Sequence, residues 1–167
     1  PISIYPKLST RSGSTTYSEI ANSLDLLKLA VYMPSHYLLD SAKGKYEDKN
    51  GNLTTGGRET GVRKLMVANL LKRLESSVSS FRLTLERVFS AMNQCLNTIE
   101  VFKAEGATSK NVDASEFGVG FDLDYEDADF MDFSVGGKTQ FDLHDLDWKS
   151  WEKDVRDDAQ TIEGRSR

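Results

Sequence analysis

ETGVRKLMVANLLKRLESSVSSFRLTLERVFSAMNQCLNTIEVF, residues 59–102, decides the fold class. Val67, Leu71, Leu74, Val78, Phe81, Leu85, Val88, Met92, Cys95, Ile99 and Phe102 follow one another at spacings of four and three, and no polar residue interrupts the series. That is the stripe with which a helix lies along a partner helix. Leu65, Met66, Leu70, Leu83, Phe89 and Leu96 widen the apolar surface beyond a narrow seam, which favours a bundle-core helix over a free coiled coil. The pattern predicts one helix over about 59–103, about 65 Å long if unbroken at 1.5 Å per residue. Ser76-Ser77 and Ser79-Ser80 are its weak points, because serine competes for backbone hydrogen bonds. The unbroken apolar frame argues for continuity across them. Glu59 suits a helix N-terminus and Glu105-Gly106 supplies a stop.

Upstream, Pro1 to Ser14 passes from a strand-like apolar stretch into a polar loop. Thr16-Tyr17-Ser18-Glu19 matches a capping box and opens a predicted helix over about 16–32, with Tyr17, Ile20, Ala21, Leu24, Leu27 and Val31 on one face. Pro34 ends that helix or lies just beyond it. His36 to Leu39 is expected as a short helical turn, and Asp40 to Gly57 as a loop. Downstream, Phe117, Val119, Phe121, Leu123 and Tyr125 alternate with glycine and aspartate, which suits either a strand or a loop with scattered aromatics. Val135, Thr139, Phe141 and Leu143 are its candidate partner, so a small β-hairpin within the acidic stretch 107–146 is expected. A last helix is predicted over about 147–163, with Trp148, Trp151, Val155, Ala159 and Ile162 on one face and Asp145 or Asp147 as its cap. The class is mainly α, one helical domain over 1–167.

Composition narrows what such a domain does. The single cysteine, Cys95, excludes a disulfide framework and a thiolate zinc site, and fits a reducing, cytoplasmic setting. No apolar run is long enough to span a bilayer and no signal peptide is visible, so no membrane partner is expected. The chain opens on Pro1, and it reads as a piece of a longer protein; the IEGR at Ile162–Arg165 carries no functional weight. A net charge of −5 conceals two poles. From Arg58 to Ser90 seven bases meet three acids, whereas from Asp113 to Asp147 eleven acids meet one base, Lys138. Overall acidity therefore leaves room for a local phosphate-binding surface.

Several tempting motifs fail on their own terms. Gly136-Gly137-Lys138-Thr139 resembles the end of a phosphate-binding loop, but the glycine required five residues before Gly137 is Asp132. Asp48, Asn50, Asn52, Thr54 and Glu59 fall at calcium-loop positions, but the turn-forming sixth position is Leu53 instead of glycine. The acids Asp122, Asp124, Glu126, Asp127 and Asp129 lack that spacing and read as a solvated face. His36 and His144 stand near no serine or cysteine constellation, and Cys95 lies on the apolar seam. No catalytic residue, cofactor site or metal site is assigned.

The basic residues of the long helix are the remaining candidates. At roughly 100° per residue, Lys72, Arg73 and Arg87 project away from the seam, with Asn69, Ser76, Ser80 and Thr84 between them. Such a stripe can lie against a phosphate backbone, but spacing alone favours an ordinary solvated face.

The block Leu65-Met66-Val67-Ala68-Asn69-Leu70-Leu71-Lys72-Arg73-Leu74-Glu75-Ser76-Ser77, continued by Val78-Ser79-Ser80-Phe81-Arg82-Leu83-Thr84-Leu85, resembles the helical insertion of large bacterial SNF2-like helicases of superfamily 2. There it lies between two RecA-like motor lobes. Leu27 to Tyr37 and Trp148 to Ile162 are similar to the flanking segments, and the acidic stretch has no counterpart. The resemblance implies an ATP-dependent DNA helicase or translocase as the parent, with ATP and magnesium in the motor. It implies the motor lobes and DNA as partners of this module, with Lys72, Arg73 and Arg87 as contacts to nucleic acid or to an acidic motor surface. No Walker A motif, DEAH-type box or arginine finger is present, so no ATPase residue is carried over. The alternatives are a free-standing helical protein–protein interaction module and, more remotely, a small enzyme assembled from distant acids.

Overall fold

The computed structural model of the chain describes residues 8–10, 13–46, 55–108, 111–112 and 141–166. Among the described residues there are four α-helices: α1 (Tyr17–Leu26), α2 (Thr55–Ser76), α3 (Val78–Ala104) and α4 (Trp148–Ser166). Two short antiparallel ladders accompany them. β1 (Leu8–Thr10) pairs with β2 (Gly13–Thr15), Leu8 opposite Thr15. β3 (Asn111–Val112) pairs with β4 (Phe141–Asp142), Val112 opposite Phe141. The mainly α class expected from the apolar periodicity is what the chain adopts. Phe141 takes part in a ladder as expected, but its partner is Val112. The alternating Phe117–Tyr125 run, Val135 and Thr139 lie outside the described residues.

The long helix is two helices. Ser77 is extended, at φ −161° and ψ 125°, and separates α2 from α3. Its amide closes the last turn of α2 on the Arg73 carbonyl at 2.8 Å, while its carbonyl accepts from Phe81 to open α3 at 3.0 Å. The Ser77 hydroxyl accepts from the Ser80 amide at 3.3 Å, and Ser76 donates back to the Lys72 carbonyl at 3.0 Å. The Ser77 hydroxyl thus caps α3 by satisfying one of the amides that the break frees. Apolar spacing cannot register such a break, because the core stripe continues on both sides of it.

The stripe holds in α3, where Phe81, Leu85, Val88, Met92, Cys95, Ile99 and Phe102 are all buried. In α2 it rotates: Met66 and Leu70 join Val67 and Leu74 in the core, while Leu71 is only half-buried. α1 runs antiparallel to α2. At one end the Tyr17 hydroxyl donates to Glu75 Oε1 at 2.6 Å; at the other, Arg63 donates to the carbonyls of Asp25 (3.1 Å) and Lys28 (3.2 Å). α4 runs antiparallel to α3. Trp148 meets Phe102 edge-on with ring centres 5.8 Å apart, and Lys103 pairs with Glu152 at 2.7 Å. The predicted Thr16–Glu19 capping box opens α1, and Asp147 caps α4 by accepting from the Ser150 amide at 3.3 Å.

α1 stops at Leu26, short of the expected end near residue 32. Leu29 is left-handed, at φ 51° and ψ 44°. A non-glycine residue there is disfavoured by about 1–2 kcal/mol. Three contacts hold it. Its side chain is fully buried. The Asp158 carboxylate of α4 accepts from the amides of Lys28 and Ala30, both at 3.0 Å. Trp151 Nε1 donates to the Ala30 carbonyl at 2.7 Å. The 3-10 turn Ala30–Tyr32 that follows is buried and packs on α2, α3 and α4. Pro34 begins a second 3-10 turn, Pro34–Tyr37, where its missing N–H leaves no bond unmade. A third, Asp40–Lys45, occupies the expected loop, and α2 begins at Thr55, before the expected Glu59.

Replacing Asp158 with Ala strips the acceptor from the buried Ala30 amide and the part-buried Lys28 amide. Urea unfolding is expected to show a loss of roughly 3 kcal/mol, against about 1 kcal/mol for the exposed Ser77→Ala cap. Equal losses for the two variants would show that the Asp158 contacts are not central to the fold.

Candidate nucleic-acid interface

The break at Ser77 redistributes the basic residues. Lys72 and Arg73 lie in the last turns of α2 and Arg87 lies in α3, so the three do not share one helix face. Lys72 and Arg87 are exposed. Arg73 is half-buried, and its Nη1 donates to Ser80 Oγ at 3.1 Å, across the corner from α2 to α3. Arg73 is therefore a brace, whatever else it touches. Arg82, exposed in the second turn of α3, is a basic residue on this side of the corner that helical-wheel reasoning leaves out. A straight wheel carried through Ser77 keeps the core face of α3 but relates the outer faces of α2 and α3 as if they shared one axis. The serine pairs were the available signal. Lys64 is also exposed on α2, whereas Arg63 is committed to the carbonyls at the end of α1, where a cation complements the helix dipole.

Lys72 and Arg82 are the exposed cations beside the corner, Arg87 lies five residues beyond Arg82 and roughly 140° round α3 from it, and the exposed acids nearby in the chain are Glu75, which accepts from Tyr17, and Glu86. Small hydroxyl side chains at Ser76, Ser77 and Ser79 surround the corner and are exposed. Cations among short polar side chains can approach a phosphate backbone closely and read no sequence.

The other motifs resolve differently. Glu59, the twelfth position of the calcium-loop pattern, is turned into the protein. It is buried, and its two carboxylate oxygens accept from the Ser35 amide at 3.2 and 3.1 Å and from the Ser35 hydroxyl. Burial pushes its carboxyl up to about 7, against the pull of the Ser35 donors. Asp48, Asn50, Asn52, Thr54 and the Gly136–Thr139 motif lie outside the described residues, as do the acids from Asp122 to Asp129. His36 is exposed, with Nε2 3.5 Å from Thr60 Oγ1. His144 is exposed at the far end of the chain. No group of histidine, cysteine and acidic side chains suited to a metal occurs among the described residues. Cys95 is fully buried and its thiol is pushed up by burial, as a core residue's should be. No described helix is long and apolar enough to cross a membrane.

Compared with protein-family models, curated proteins and solved structures, the chain matches none.

Glu59 gives the fold a specific pH dependence. Its folded pKa, about 7, exceeds the ordinary value of 4.5, so the native state holds the proton more tightly than the unfolded chain does. Its contribution is complete below pH 4.5 and is lost progressively as pH rises to about 7. Between those limits the stability of the wild type relative to Glu59→Gln is expected to fall by on the order of 3 kcal/mol. Parallel stability curves for the two proteins would remove the buried-acid explanation.

Proposed function

We propose that the chain is the non-catalytic helical insertion of an ATP-dependent SNF2-like DNA helicase or translocase, bracing two RecA-like motor lobes and offering its basic corner to DNA. The observation that carries this reading is the place of the resembling block in the fold. Leu65 to Leu85 spans the end of α2, the Ser77 break and the start of α3, so the block encodes the corner itself. Its serines cap the break, its Arg73 braces it, and its Lys72 and Arg82 stand in solvent beside it. A rigid bent element with cations at the bend can transmit motion between lobes while holding a phosphate backbone. ATP and magnesium would act in the motor lobes, outside this module.

Leu83, 51% exposed on α3 within the same block, favours the rival reading of a helical interaction module. A molecular mass that rises with concentration in light scattering would support that rival.

Duplex DNA is expected to bind this chain weakly and to be released by salt. Lys72→Gln with Arg87→Gln should lower the affinity and reduce the slope of log K against log salt by roughly 2, one phosphate contact for each residue. Undiminished binding by that double variant in fluorescence anisotropy would rule out the corner as the DNA surface.

A further inference from the structure

A second charged surface lies at the other end of α3, away from the corner. The C-terminal turn of α3 and the first turns of α4 enclose an open groove of about 390 Å3. Trp148 forms part of its wall. The indole is half-buried and held by the edge-on contact with Phe102, and it is flanked by two ammonium groups, Lys103 Nζ at 5.5 Å and Lys149 Nζ at 5.6 Å from the ring centre. Lys149, Lys153 and Arg156 follow one another along α4 at i, i+4 and i+7, which places them on one face over about 10 Å. Each strand of a duplex carries a phosphate about every 3.4 Å of helix axis, and an extended single strand spaces them further apart, so this run spans about two phosphates.

The four cations of the groove are not equally committed. Lys103 is fixed by Glu152 at 2.7 Å and Glu100 at 3.1 Å, and these carboxylates raise the affinity of its amine for the proton. Arg156 shares Glu152 at 2.9 Å, and Lys153 pairs with Asp157 at 3.1 Å in solvent. Lys149 has no ion pair among the described residues, and its neighbour is the Trp148 ring. It also sits in the first turn of α4, where the helix dipole disfavours a cation unless an anion is at hand. The flexible lysine stem lets this ammonium swing from the indole to a phosphate, which clears the ring for a base. An aromatic platform beside a run of cations is the arrangement that takes an unpaired strand without regard to sequence. A duplex offers no base face to the indole.

We infer that the groove between the end of α3 and the start of α4 binds single-stranded nucleic acid, with one base stacked on Trp148 and the flanking phosphates on Lys149, Lys153 and Arg156. The inference stands independently of the corner at Ser77 and of the role proposed for it.

Titrating the whole chain with a short oligothymidylate at low salt tests it through tryptophan emission. Trp151 is fully buried and bonded to Ala30, so a change on binding reports Trp148. Saturable quenching is expected, with the affinity lowered roughly tenfold in Trp148→Ala, as loss of one stacked base implies. In Lys149→Gln/Lys153→Gln the affinity should fall, with a salt slope smaller by roughly 1.4. The corner at Ser77 carries no tryptophan, so the quenching reports this groove and not the corner. If Trp148→Ala fails to fold, the two-lysine variant decides, since both its positions are exposed. Oligonucleotide binding unchanged in the lysine variant overturns the proposal. An oligoglutamate peptide that quenches Trp148 with the same affinity also overturns it, in favour of an acidic peptide site.

Discussion

The grip of α4 on residues 28–30 is the interaction on which the rest of the architecture depends. A carboxylate and an indole N–H, Asp158 and Trp151, satisfy backbone groups of a segment that has left α1 and is entering its next turn. The left-handed Leu29 reverses the chain there and drives its own side chain into the core. Because Arg63 of α2 takes the carbonyls on one side of this segment and Asp158 of α4 takes the amides on the other, α1, α2 and α4 are all registered against the same few peptide groups. The turn Ala30–Tyr32 then carries that registration to α3. Hydrophobic burial supplies most of the driving force, but it is non-directional. The directed bonds to residues 28–30 select one packing among many.

The same division explains what was legible in the sequence. Everything that follows from periodicity and capping chemistry could be read: the face of α3 from Phe81 to Phe102, the Thr16–Glu19 box, the Asp147 cap and the apolar side of α4. What escaped depends on contacts between residues distant along the chain. Leu29 carries no sign of a left-handed conformation, since leucine is a poor choice for it. The premature end of α1 depends on Arg63 and Asp158, which lie far away in sequence. Ser77 is intermediate. The serines marked a weak point, but the seam continued through it, and a capped corner and a straight helix share that pattern.

The candidate surfaces were legible to different degrees for a related reason. Lys72, Arg73 and Arg87 could be picked out by charge, but their mutual placement depended on a helix that turns at Ser77, and Arg73 is engaged across that turn. The groove around Trp148 could not be found from spacing along one element. Lys149, Lys153 and Arg156 share a helical face, but Lys103 comes from the end of α3 and joins them only because α4 runs antiparallel to it. The predicted apolar stripe of α4 assigned Trp148 to the core, and beside Phe102 it is half-buried. The exposed part of the ring remains available to the cations.

The ladder of β3 and β4 has a separate consequence, for how the chain can vary. Val112 and Phe141 are buried and face one another, so the two ends of residues 113–140 are fixed about one strand spacing apart, roughly 5 Å. Seen from the helices, those residues are an insert with its entrance and exit side by side. For any flexible segment joined at two such neighbouring points, the cost of closure grows only with the logarithm of its length, about 0.6 kcal/mol for each doubling. The helical core therefore places little constraint on how long that stretch is or how many acids it holds. Its length and its negative charge can diverge at a rate unrelated to that of the packing beneath it.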